Sequence, residues 1–240
     1  MKILSFDTSS MVATIALIED EKLIGEYIIN HKRTHSQKLM PMIDELLKSC
    51  EVKIEEIDKI AVAKGPGSFT GIRIGIATAK GLAHALDIPV VGISTLDGLA
   101  FNLYNSNGLI CPILDARRSQ VYTAIYKWDN LNLNRIEEPI AVSIQKLCEI
   151  LLKRPEPVIF LGDGVQSNKE YLLEVLKERA IFAPNSHNIT KASSIGQLAM
   201  KSSEDENFYE LVPTYLRKSE AERQYEEKQK RCEENEQCKC

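Results

Sequence analysis

AVAKGPGSFTGIRIGIATAKGLAHAL, residues 61–86, decides the fold. It reads as a buried strand, a glycine-rich turn at Gly65-Pro66-Gly67-Ser68, and a long helix with almost no polar side. At about 100° per residue, Arg73, Lys80 and His84 line one narrow polar stripe, and Thr78 apart the rest is Ile, Ala, Gly or Leu. A helix packed on one sheet needs an apolar arc only somewhat over about 100° wide. This one exceeds twice that, which predicts a second covering element. Gly71, Gly75 and Ala79 fall four apart, as do Ala77, Gly81 and Ala85. Each glycine inside a helix costs roughly 1 kcal/mol, so the spacing predicts close backbone approach by another element. Burial within its own domain is the alternative.

The preceding segment, HSQKLMPMIDELLKSC, repeats the surplus. Thr34 or Ser36 can cap it, and Leu39, Met40, Met42, Ile43, Leu46, Leu47 and Cys50 spread over about 160° of the circumference. Pro41 falls in the first two turns, where a missing N–H does least harm. Two neighbouring helices with spare apolar surface predict a docking face. Its expected residues are Leu39, Met42, Ile43 and Leu46 of the first helix, with Ile72, Gly75, Ile76, Ala79 and Ala83 of the second. Met40 and Leu47 are alternatives to Met42 and Leu46.

Composition fits a water-soluble chain of one large domain or two lobes: 240 residues, 44% hydrophobic and 27% charged. A net charge of −4 gives no global field for nucleic acid. No apolar run reaches the about 18 residues that span a bilayer, and Asp7 interrupts the apolar start, so no signal peptide is expected. Cys50, Cys111 and Cys148 lie in apolar segments as free thiols, while Cys232, Cys238 and Cys240 sit in a charged tail without structural-zinc spacing. A cytoplasmic protein is expected.

The order of elements repeats. Strands at residues 2–7, 12–19 and 22–29, a helix at 35–49, a strand at 57–63, the small-residue helix and a strand at 89–93 make the first half. A short helix, Leu96–Tyr104, leads to the turn at 105–108. Strands at 109–115, 120–128 and 135–142, a helix at 144–152, a strand at 157–161 and a helix near 169–177 make the second. Strand, strand, strand, helix, strand, helix occurs twice, which predicts duplicated α/β lobes. The expected lobes are residues 1–105 and 106–218, with a helix near 193–200 and PTYLR at 213–217 closing the second. Residues 219–240 carry no apolar face and read as a frayed helix or disordered tail.

FDTSS with ATIALI, HSQKLMPMID, GPGSFTGIRIG, STLDGLA, DARRSQVYTAIY and LGDG together resemble the TsaB (YeaZ) family, over residues 1 to about 218. The resemblance implies two actin-like, sugar-kinase-like lobes, each a five-stranded mixed sheet with helices. It implies a non-catalytic subunit in the synthesis of threonylcarbamoyladenosine beside the tRNA anticodon. The implied partners are a TsaD-type catalytic subunit, docked through the two helices above, and a TsaE-type ATPase. A homodimer is expected when the chain is alone, with tRNA met only indirectly and no membrane.

The motifs weigh against independent catalysis. The glycine turn before the helix lacks the Lys-Ser/Thr pair of a phosphate-binding P-loop. Asp7, Thr8 and Ser9 stand where actin-like ATPases wrap the γ-phosphate, Asp115 occupies the matching turn of the second half, and Gly162-Asp163-Gly164 resembles a split adenosine platform. A residual cleft with weak ATP or ADP binding, or binding at the complex interface, is the most these imply; no cofactor is expected. Thr95 and Leu99 stand where TsaD-like enzymes carry two metal-binding histidines, and leucine cannot ligate a metal. His31 and His35 lack the following Glu of a zincin. The alternative reading is an ATP-binding phosphotransferase or metallopeptidase-like enzyme. A further one, nucleic-acid binding through Arg73, Lys80, Arg117 and Arg118, rests on a thin basic footprint split between lobes.

Overall fold

The structure is a computed structural model that describes residues 1–31, 35–202 and 207–217. The expected caps Thr34 and Ser36, the His31–His35 pairing and the charged tail lie outside the described residues and side chains.

Strands β1 (Lys2–Asp7), β2 (Val12–Glu19) and β3 (Lys22–Asn30) form an antiparallel meander, and β4 (Lys59–Gly65) and β5 (Val90–Ser94) extend it parallel to β1. Between them run α1 (His35–Ser49) and α2 (Phe69–Leu86), and α3 (Thr95–Phe101) follows β5. The second half repeats the plan with β6 (Leu109–Asp115), β7 (Gln120–Asp129), β8 (Asn132–Ser143), α4 (Ile144–Leu152), β9 (Val158–Leu161), α5 (Val165–Leu176) and β10 (Ala180–Phe182), and α6 (Ala192–Lys201) follows. The sheet orders are β3-β2-β1-β4-β5 and β8-β7-β6-β9-β10, one topology used twice. Strand β10 and the first turn of α5 are additions to the sequence reading. Ala180–Phe182 is too short to show alternation, and Gly164 starts α5 without a side-chain cap.

Helices α1 and α2 cover one face of the first sheet. Leu39, Met42, Ile43 and Leu46 of α1 and Ile72, Ile76, Ala79 and Ala83 of α2 are buried in one cluster with Leu4, Phe6, Ile15, Leu17, Ile60 and Val62. This corrects the expected docking face, because those side chains form the lobe's own core. Gly75 is buried too, and a Cβ there would meet Thr8 Oγ1 at 2.7 Å and Val62 Cγ2 at 3.4 Å. The close approach read from its spacing is made within the lobe.

The halves exchange a helix. α6 does not close the second lobe as expected: Ile195 and Ala199 pack with Ile3, Ala61, Ala63 and Val91 on the other face of the first sheet. Buried hydroxyls fix it there. Ser5 Oγ donates to Ala192 O at 2.7 Å, Thr14 Oγ1 accepts from the Ala192 N–H at 3.1 Å, and Glu26 Oε1 takes both the N–H and hydroxyl of Ser193 at 2.9 Å. Buried polar groups need such partners, and a carboxylate at a helix start adds a favourable dipole contact. In exchange, Leu96, Leu99 and Phe101 of α3 pack on Ile110, Leu114, Tyr126 and Trp128 of the second sheet. Asp97 accepts from the Tyr126 hydroxyl at 2.6 Å, and both its oxygens accept from Arg135 at 2.8 Å. The segment at 207–217 also returns to the first lobe, with Leu211 in its core. Apolar periodicity marks such a segment as buried without saying on which sheet.

Candidate functional site

The residues expected in a nucleotide cleft lie at two topologically equivalent turns, residues 8–11 and 116–119, with Gly162 and Gly164 beside the second. Asp7, Thr8 and Ser9 are buried. The start of α2 closes over them: Thr8 Oγ1 donates to Gly71 O at 2.7 Å, and the Ser68 N–H donates to Ser9 O at 2.6 Å. A Cβ on Gly71 would stand 2.0 Å from Thr8 O, so backbone meets backbone where a bulkier residue has no room.

The N–H groups that would cradle phosphate are occupied by the chain itself. Ser9 N–H donates to Asp7 Oδ1 at 2.6 Å, and Gly71 N–H to the capping Ser68 Oγ at 3.3 Å. In the second half Asp115 N–H donates to Asp163 Oδ1 at 2.9 Å, Gly162 N–H to Asn188 Oδ1 at 2.6 Å and Gly164 N–H to Ile113 O at 3.0 Å. A helix start binds anions through free N–H groups, and these five N–H groups are bonded within the chain. The carboxyl of Asp163 is held above the usual carboxylate range by burial, with the charge of Asp115 adding to it and hydrogen bonds opposing it.

Thr95 and Leu99 are fully buried; Thr95 Oγ1 donates to Ser9 Oγ at 3.1 Å and Leu99 joins the second-half core. Asp97 between them is committed to Tyr126 and Arg135, and burial raises the Tyr126 phenol far above its ordinary range. Among the described residues, no group of three or more His, Cys, Asp or Glu is placed to hold a metal ion. No helix among them is long and apolar enough to cross a membrane.

The outward side of α2 carries the other half of its small-residue pattern. Ala77, Gly81 and Ala85 are exposed, Ile74 and Thr78 partly so, and a Cβ on Gly81 would meet nothing within 4 Å among the described residues. On neighbouring α1, Met40 is 47% exposed. The polar stripe, with Arg73 and His84 exposed and Lys80 half-buried, holds residues 207–217 as a strap. Arg73 lies 3.9 Å over the Phe69 ring and donates through Nε to Tyr215 Oη at 2.9 Å, and Phe69 and Tyr215 stack at 4.5 Å. Lys80 Nζ donates to Tyr209 O at 3.4 Å, and His84 meets the Phe208 ring at 4.8 Å. The strap then crosses to the second half, where Arg217 Nη1 donates to Ala116 O at 2.6 Å. At Gly65, whose φ of +108° suits glycine, a Cβ would stand 2.6 Å from Thr214 O. A strap this close to β4 was not legible in the pattern, although GPG marked a tight place.

A family model described as "TsaD: tRNA N6-adenosine threonylcarbamoyltransferase" matches residues 22–225. The tRNA threonylcarbamoyladenosine biosynthesis protein TsaB of Bacillus subtilis (strain 168) is 40% identical over 230 residues, 96% of this chain and 100% of its own length. The protein of the same name in Buchnera aphidicola subsp. Baizongia pistaciae (strain Bp) is 30% identical over 220 residues, 89% of this chain and 97% of its own. Among solved structures, YeaZ from Pseudomonas aeruginosa superposes with a TM-score of 0.74 at 26% identity, covering 90% of this chain and 99% of its own. The ethanolamine utilization protein EutJ from Carboxydothermus hydrogenoformans, with a TM-score of 0.50 at 11% identity over 82% and 89% of the two chains, shares the fold alone. The architecture is the actin-like one, doubled.

Proposed function

Because this chain belongs to the TsaB (YeaZ) family of tRNA threonylcarbamoyladenosine biosynthesis proteins, we propose that it serves that modification as a non-catalytic subunit. It docks a TsaD-type transferase on the outward face of α2. The observation that carries this reading is Gly81, an exposed glycine inside an 18-residue helix, where an added Cβ would meet none of the described residues packed against the helix within 4 Å. A glycine there weakens the helix by roughly 1 kcal/mol, and its spacing with Ala77 and Ala85 suits a partner helix at short interaxial distance. Alone, the same face pairs with a second copy.

The cleft supports the non-catalytic part. Rate enhancement needs donors or metal aimed at developing charge, and the N–H groups around Ser9, Asp115 and Gly162 are bonded within the chain. The phosphotransferase and metallopeptidase alternatives each need groups that Thr95, Leu99 and Asp163 do not supply. The test is co-purification with a TsaD-type protein, with transferase activity measured with and without this chain. Activity that requires the chain, with no ATP or peptide hydrolysis by the chain alone, supports the reading. Turnover by the isolated chain that Asp7→Ala abolishes contradicts it.

A further inference from the structure

The basic residues that the sequence splits between two lobes are joined by the strap. Arg73 lies under Tyr215 on α2, and two residues further on Arg217 reaches the turn after β6. That turn displays Arg117 and Arg118, both exposed. Arg117, Arg118 and Ser119 hold φ values of 60°, 54° and 56°, consecutive non-glycine residues in the left-handed region. L-residues pay for that conformation individually, and runs of them persist where the surroundings enforce them, often at functional sites. Here Arg217 holds the carbonyl of Ala116, and Asp115 accepts the Arg117 N–H at 2.8 Å. The guanidinium of Arg117 makes no hydrogen bond or ion pair among the described residues.

We propose that Arg73, Arg217, Arg117 and Arg118, with the stacked Phe69 and Tyr215 beside them, bind the phosphodiester backbone of RNA directly. Guanidinium forks match phosphate oxygens, and cationic strips interleaved with aromatic rings are how polynucleotide strands are held without sequence preference. The strip runs from the first lobe to the second, longer than a single phosphate group requires, which favours a polynucleotide over inorganic phosphate. The turn's own carboxylate, Asp115, is outnumbered by the arginines around it. In a chain of net charge −4, such a local excess is not a by-product of composition. Arg73 continues the row of Ala77, Gly81 and Ala85 by one turn, so the strip begins where the docking row ends, while Arg117 and Arg118 lie on the other half.

The test needs no partner protein. A fluorescently labelled, unmodified tRNA transcript is titrated with the full chain between about 50 and 200 mM salt, where phosphate-driven affinity falls steeply. Binding that weakens severalfold in Arg117→Gln, with a log–log salt slope shallower by about 0.7–0.9, is expected for one lost phosphate contact. Arg117→Gly separates this role from a structural one, because glycine suits the left-handed backbone. It keeps or raises the melting temperature while losing RNA affinity as the Gln variant does. The proposal is overturned if the wild-type chain does not bind the transcript at low salt, or if both variants match its affinity and slope. It is also overturned if equimolar ATP or pyrophosphate displaces the RNA, which would make the strip a nucleotide site.

Discussion

The two halves share a strand order, yet they treat the turn after their first strand in opposite ways. In the first half, Thr8 and Ser9 are buried beneath the start of α2, with Gly71 allowing backbone to touch backbone. In the second, residues 117–119 stand exposed in left-handed conformations, pinned from outside by Arg217. The crossing helices differ to match. α2 has 18 residues, with one small-residue row turned inward and another outward, whereas α5 has 12 and a Leu- and Tyr-bearing face. A duplicated fold thus keeps its strand pairing while one copy gives up an open turn to seat a helix. The seated helix packs its inner side on the sheet and carries the strap and an exposed row of Ala77, Gly81 and Ala85 on its outer side.

The largest expected effect comes from the inner side. Ile76 is 5% exposed in the first-half core, so Ile76→Glu leaves an unpaired buried charge and is expected to cost about 3–5 kcal/mol. Chemical denaturation measures it, and a variant of wild-type stability would mean that α2 does not pack on the sheet as described. Gly71→Ala comes next. Its Cβ would lie 2.0 Å from Thr8 O, and overpacking of this kind costs about 1–3 kcal/mol. The same change at Gly81, where the added Cβ would meet nothing within 4 Å among the described residues, should be neutral or stabilise by up to about 1 kcal/mol. Equal melting shifts at Gly71 and Gly81 would erase the contrast between the two sides.

In the second half, Asp97→Ala removes the acceptor shared by Tyr126 and Arg135, which ties α3 to that sheet. Bonds to charged groups contribute about 1.5–3 kcal/mol, and the half-exposed setting reduces this to about 1–2 kcal/mol. Arg135→Ala combined with Asp97→Ala should cost less than the sum of the single changes. Strict additivity would show that the contact is not an energetic unit.

Much of this plan is written in the chain, and the missing parts have physical causes. The repeated element order gave the duplicated lobes, and the spacing of Gly71, Gly75 and Ala79 gave a close approach. Periodicity is silent about which sheet a helix meets, so α6 and the strap were expected on the second lobe. The same silence assigned Ile72, Ile76 and Ala83 to a partner, when the sheet itself takes them. The polar stripe of Arg73, Lys80 and His84 carried no sign of the strap that each of them contacts. The left-handed turn had no glycine to announce it.

The central claim is that the outward row of α2 is the docking face, and Gly81→Glu tests it most directly. Glutamate is a better helix former than glycine and its side chain would enter open space, so the lobe should keep or gain stability. Association with a purified TsaD-type transferase, followed by calorimetric titration, should be lost or weakened at least about a hundredfold, as expected for an unpaired charge at the centre of an interface. Wild-type affinity in a folded Gly81→Glu chain would contradict the claim and move the docking surface elsewhere.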